Sequence, residues 1–295
     1  MLALLGILLV LGAVFGGYVL ENGNPWVLLQ PVEFLIIGGA AVGIILVSNP
    51  PVVIRKILKG LRETFHSARQ TRESYLLHLR LLYEVFSLAR RSGAGVLEPH
   101  VEAPDSSTIF SNYPDLLADR VTLDFVLDTL RMLALSAGEP HHLDHLMDLD
   151  IDIQQRGRHE PVRALNSVAD ALPGLGIVAA VLGVVITMQA IGGAPELIGE
   201  KVAAALVGTF LGILLCYGVV GPFASRLEGQ VEARTQHLQV LRTGIGAFAA
   251  GISPILAVEA ARRSIPVEWR PSFEEMHITV RRDANIPPVL LPPPA

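Results

Sequence analysis

LPGLGIVAAVLGVVITMQAI, residues 172–191, is followed by the polar stretch GGAPELIGEK (192–201) and then by VAAALVGTFLGILLCYGVVGP (202–222). No charged residue lies between Ala171 and Pro195, and none between Val202 and Ser225. A bilayer core takes about 20 apolar residues in a helix that rises about 1.5 Å per residue, so each run is long enough to cross it. Two more charge-free runs precede this pair, Leu2–Leu20 and Phe34–Ile54. The latter contains Asn49-Pro50-Pro51, where proline stops a helix, so its membrane part closes near Ser48. The chain therefore reads as an all-α polytopic membrane protein with four transmembrane helices, at 1–20, 34–50, 169–191 and 202–225. The first run lacks a basic leading region and a small-residue cleavage site before Glu21, and is read as an uncleaved helix.

The basic residues set the orientation. The connection 21–33 has no Lys or Arg, and 192–201 has one, Lys201; the other 22 of the 23 lie in Arg55–Arg163 and Arg226–Arg282. The two short connections, 21–33 and 192–201, are then external loops, 51–168 and 226–295 are cytoplasmic, and both termini lie on the cytoplasmic side. The one cysteine, Cys216, excludes an intrachain disulfide and a cysteine-based metal site. A net charge of −5 argues against nucleic acid as a partner.

Within 51–168 the apolar spacing predicts helices over Tyr75–Leu88, broken by Gly93 and Gly95, and over Val121–Ala137. A third begins near His141 and can run without a break into the third membrane helix. Arg226–Ala250 reads as an amphipathic continuation of the fourth. After Pro266 the sequence is rich in proline, ends PPVLLPPPA and reads as poorly ordered.

Several groups of residues carry possible chemistry. Pro173 and Pro222 stand about equally far from a turn centred near 197–198, which would put both at the cytoplasmic membrane edge as a flexible collar; prolines are also simply common in membrane helices. Gly176/Ala180, Ala179/Gly183 and Gly208/Gly212 are small-xxx-small pairs, fitted to close helix packing within one chain or against a copy or partner. Thr187, Thr209, Cys216 and Tyr217 are the main polar side chains of the last two runs. A threonine there usually bonds the carbonyl one turn back, but Thr209, between two glycines, is also placed to line a water path. Neither run carries an Asp, Glu, Lys, Arg or His near its middle, so a titratable group for ion passage must come from another chain. His141, His142, Asp144 and His145 read as a solvated helix start rather than a metal site, having no fourth ligand and no HExxH. Arg90 and Glu98 flank a glycine turn with opposite charge, as solvated groups or as a bipolar surface for a charged partner. No nucleophile–base pair and no phosphate loop is present, so an enzyme is not expected.

MLALLGILLVLGAVFGGY, QPVEFLIIGGA, SSTIFSNYPDLLADRVTLDFVLDTLR, LPGLGIVAAVLGVV, ALVGTFLGILLCYGVVGP and GISPILAVEAARRSIP followed by RPSFEE together resemble the MotA family of flagellar motor stators. That family lies within the MotA/TolQ/ExbB group of proton-driven channels. The resemblance implies a ring of five such chains around two MotB helices, whose aspartate is the missing carboxylate, with the third and fourth helices innermost; the first two, richer in bulky Leu, Ile and Val, are placed facing lipid on that composition. It further implies that Pro173 and Pro222 couple proton passage to movement, that Thr209 lies beside the ion path, and that Arg90 and Glu98 push on charged residues of the rotor protein FliG. Ala180 falls where sodium-driven relatives carry a hydroxyl residue, which favours H⁺ as the transported ion; no cofactor is implied. The runner-up is an ExbB/TolQ-like energiser of outer-membrane processes, and a purely structural membrane scaffold is the third reading.

Overall fold

The computed structural model describes residues 2–66, 71–135, 140–189, 192 and 195–281, and every regular element among them is helical. They divide into two units, 1–67 with 156–231, and 68–155 with 232–295.

The first unit holds α1 (Leu2–Leu20), the single turn α2 (Pro25–Leu28), α3 (Pro31–Ser48) and α4 (Pro51–His66). It also holds the later part of α9 (Pro140–Met188), α10 (Pro195–Leu215), a π-helical turn at Cys216–Val220 and the start of α11 (Gly221–Ala249). Proline opens α2, α3, α4, α9 and α10 at the first helical position, where its missing N–H is no loss. Among the described residues three stretches are long and apolar enough to cross a membrane, Pro25–Ser48, part of Pro140–Met188 and part of Ile198–Ala249; Leu4–Leu20 is a shorter apolar helix. One apolar cluster joins Leu28, Ile37 and Ala41 to Leu172, Ala179, Val207 and Leu211. A second packs Val53 and Ile57 of amphipathic α4 against Val162, Leu165, Ala224 and Leu227.

The second unit holds α5 (Arg72–Ser92), α6 (Glu98–Glu102), α7 (Pro114–Ala118), α8 (Arg120–Leu135), α12 (Pro254–Ser264) and α13 (Phe273–Arg281), with the start of α9 and the end of α11. Thr71 caps α5 by accepting the Ser74 N–H at 3.2 Å. Leu79, Leu82, Phe86 and Ala89, at three- and four-residue spacing, form its buried stripe. They share one core with Leu123, Val126 and Leu130 of α8 and Leu238, Leu241 and Ile245 of α11. Within it the rings of His78 and His237 meet edge to face at 4.4 Å. Burial lowers the pKa of both, His237 the further; Asp119 and Asp115 partly counter this at His78, while Arg234 adds to it at His237.

The helices expected over 75–88, from Val121 and from Arg226 are present as α5, α8 and α11, and the run from residue 140 is uninterrupted. The reading of everything beyond Pro266 as poorly ordered is corrected over 267–281. Ser272 and Glu275 form a reciprocal capping box: Ser272 Oγ accepts the Glu275 N–H at 3.1 Å and Glu275 Oε2 accepts the Ser272 N–H at 2.7 Å. The helix it starts buries Met276 and Val280. The terminal PPVLLPPPA and the break at 136–139 lie outside the described residues.

Candidate functional site

The site is built on α9 and α10, which pack backbone to backbone. A Cβ added to Gly212 would lie 2.5 Å from the Leu172 carbonyl oxygen and 2.9 Å from Gly176 Cα; one on Gly176 would lie 2.8 Å from the Gly208 oxygen; one on Gly183 would lie 2.8 Å from Ala205 Cβ. Of the two readings of the small-residue pairs, packing within one chain is the one formed. Thr187 donates its hydroxyl to the Gly183 carbonyl at 2.8 Å, the local bond expected of a membrane threonine. Ala180 and Thr209 are half-buried and belong to this seam: a Cβ on Gly208 would meet the Ala180 nitrogen at 3.2 Å, and one on Gly176 the Thr209 Cα at 3.2 Å. Tyr217 is 74% exposed and takes no part in the seam.

These contacts fix the register, Gly183 against Ala205, Ala180 against Gly208 and Gly176 against Gly212. Extending it places Pro173 level with Leu215, not with Pro222, which lies seven residues, about 10 Å, further along. The equal-depth collar is therefore corrected. Its cause is the turn: α10 starts at Pro195, so Glu196–Lys201, counted as loop, form its first turns. What stands opposite Pro173 is the π-helical turn, in which the Gly221 N–H bonds the Cys216 carbonyl. Pro222 has no N–H to offer Gly218, and the helix widens just before it. Two interruptions of helical bonding, at the Ala169 carbonyl that Pro173 leaves open and at this turn, thus come to one level.

A third interruption escaped the sequence reading. Pro161, inside α9, leaves the Gly157 carbonyl without its helical donor. Lys56 of α4 fills that gap, donating to Gly157 O at 3.0 Å and pairing with Glu160 at 2.6 Å. The signal was present as a glycine four residues before a proline.

Glu33 also escaped it. Assigned to the outer edge of a loop, it stands in the first turn of α3 and is 6% exposed. Its Oε2 has no hydrogen-bond partner among the described residues and lies 2.7 Å from where a Cβ on Gly208 would be. Pro31, two residues before it, was the legible sign that the helix starts outside Glu33.

In the second unit Arg90 lies in the last turn of α5 and Glu98 opens α6, both exposed. Gly93 between them has φ 86° and ψ 155°, a conformation open to glycine alone. No ion pair joins the two among the described residues, so both charges face outward as an opposed pair. Of the histidine cluster, Asp144 is engaged by Arg242 through two bonds of 3.0 Å.

Residues 4–93 match the family model described as motility protein A N-terminal, and 118–240 that of the MotA/TolQ/ExbB proton channel family. The chain is 39% identical over 272 residues to chemotaxis protein LafT of Vibrio parahaemolyticus, covering 92% of this chain and 95% of that one. It is 38% identical over 285 residues to motility protein A of Salmonella typhimurium, covering 97% of each. The fold matches the C. jejuni MotAB structure with a TM-score of 0.75 at 18% identity, over 90% of this chain and 96% of that one. It matches the flagellar MotAB stator complex of Bacillus subtilis at 0.71 and 22% identity, over 90% and 96%. With close-packed apolar helices, interrupted at one level and carrying no charged residue of their own from Ala171 to Met188 and from Val202 to Leu215, and with relatives of this similarity over nearly its full length, the chain belongs to the MotA/TolQ/ExbB proton channel family, in its motility protein A group.

Proposed function

We propose that this chain is the flagellar stator subunit that, with a MotB-type partner, forms a proton channel and converts proton motive force into torque. The α9–α10 seam carries the reading: two helices joined backbone to backbone, without an Asp or Glu of their own from Ala171 to Met188 and from Val202 to Leu215, in a chain of motility protein A sequence. Protons pass from the periplasm between these helices and the partner helix and protonate the partner's aspartate. That removes a charge that is unfavourable in the membrane. Each proton brings about 2.3 kcal/mol per 100 mV of membrane potential. Pro173 and the π turn before Pro222 give the movement, and Arg90 and Glu98 act on charged residues of the rotor protein FliG. The chain spans the inner membrane four times with both termini in the cytoplasm, 51–168 forming the rotor-facing domain. Five copies surround two partners, and lipid covers α1 and α3. Ala180 adds no hydroxyl oxygen that could replace the water of Na⁺, which supports H⁺ as the transported ion, and no cofactor takes part.

The match of residues 4–93 to the motility protein A N-terminal model speaks against the ExbB/TolQ-like energiser. Deleting the gene in its host and staining the cells tests the reading. Intact flagella that do not turn, restored by the wild-type gene, are expected. Normal swimming with impaired iron uptake or envelope integrity would overturn it.

A further inference from the structure

Resting on that reading, we infer that Glu33 is a second proton-binding site of the channel, supplied by this chain itself. Glu33 Oε2 is buried against Gly208, without a hydrogen-bond partner among the described residues, at the level where α10 meets Ala180 of α9. Gly208 lies seven residues, about 10 Å, inward from Lys201, the last charged residue of α10. α1, α2, α3 beyond Glu33, α9 from Ala171 and α10 from Val202 carry no other Asp, Glu, Lys, Arg or His.

An acid in such a place is a functional group before it is a structural one, because an apolar residue would pack there without an unmet bond. The site accepts a proton and nothing larger. The absent Cβ of Gly208 is what leaves room for the carboxyl oxygen, and the other atoms nearest that position, Ala179 Cβ and the Ala180 nitrogen, offer no oxygen with which to coordinate a metal cation. The first turn of α3, close to the short outer connection, gives the carboxyl its route to external water. Thr209, the residue after Gly208, is the next polar group inward. Glu33 thus takes up external protons and passes them to the seam, upstream of the carboxylate that the partner supplies.

The test has two parts, on the full chain with its partner. Infrared spectroscopy of the purified complex in lipid, titrated with acid, reads the carboxyl directly, independently of motor function. A protonated-carboxyl band that titrates in the wild type, is lost in Glu33→Gln and persists in Glu33→Asp is expected. In cells, Glu33→Gln present at wild-type membrane levels is expected to lose swimming speed at alkaline external pH, where proton supply limits, and to recover towards acid pH, with Glu33→Asp intermediate. An unchanged band together with wild-type speed at every pH overturns the inference. If the band behaves as expected but deletion of the gene leaves swimming intact, the proton site stands and the stator reading falls.

Discussion

Replacing Gly212 by alanine tests the seam on which the mechanism depends. The new Cβ would sit 2.5 Å from the Leu172 carbonyl oxygen, 2.9 Å from Gly176 Cα and 3.1 Å from Gly176 N. All three are backbone atoms, so no side chain can rotate away, and ordinary contact requires α9 and α10 to part by about 1 Å. Overpacking of this kind destabilises by about 1–3 kcal/mol, and the backbone clash puts Gly212→Ala at the upper end. Alanine's better helix propensity offsets about 1 kcal/mol, leaving a loss of about 2 kcal/mol. At roughly 2–4 °C per kcal/mol for a chain of this size, Tm falls by about 4–8 °C. Gly229→Ala in α11, where a Cβ meets nothing within 4 Å, is the control and should gain about 2–4 °C from propensity alone. Thermal unfolding of the full chain in lipid nanodiscs, followed by circular dichroism, measures both. If Gly212→Ala melts with or above Gly229→Ala, the backbone-to-backbone seam is refuted.

Three further outcomes follow from the same geometry. Lys56→Met should cost about 1 kcal/mol after screening, because it strands the Gly157 carbonyl that Pro161 already leaves open. In a Pro161→Ala background, whose new N–H can reach that carbonyl, a thermal double-mutant cycle should show most of this loss vanish. His237 is buried with its pKa well below the unfolded value, so the folded state resists a proton that the unfolded state accepts. Its contribution is present above the unfolded pKa, near 6.5, and is lost as pH falls below it, by at most about 1.4 kcal/mol per pH unit for one proton. Urea unfolding between about pH 7.5 and 5.5 should show this decline, and His237→Leu should flatten it. Arg90→Glu and Glu98→Lys, on exposed side chains, should leave stability within about 0.5 kcal/mol yet reduce torque in tethered cells; unchanged rotation speed in both would remove these residues from the rotor contact.

The amphipathic helices and the membrane runs were legible because burial in a core and burial in lipid leave different marks, one periodic, the other charge-free. The seam was legible too, as glycines and alanines four apart. Register was not. Glu196, Glu200 and Lys201 read as loop because they are charged, yet they form the first turns of α10, and that shift moved Pro173 out of line with Pro222. The Pro-rich composition after residue 266 masked a capping box, Ser272–Glu275, that local hydrogen bonding alone makes decisive. Glu33 and Lys56 were missed for one reason: each acts on a residue far away in the chain, Gly208 and Gly157, and sequence spacing carries no trace of such pairs.

The most direct measurement of the central claim is proton flux into liposomes holding this chain with its MotB-type partner, read by an internal pH dye under an imposed membrane potential. Flux that needs both chains and is abolished when the partner's membrane aspartate becomes asparagine is predicted. No flux with both chains present, or flux through this chain alone that ignores the partner, would contradict it.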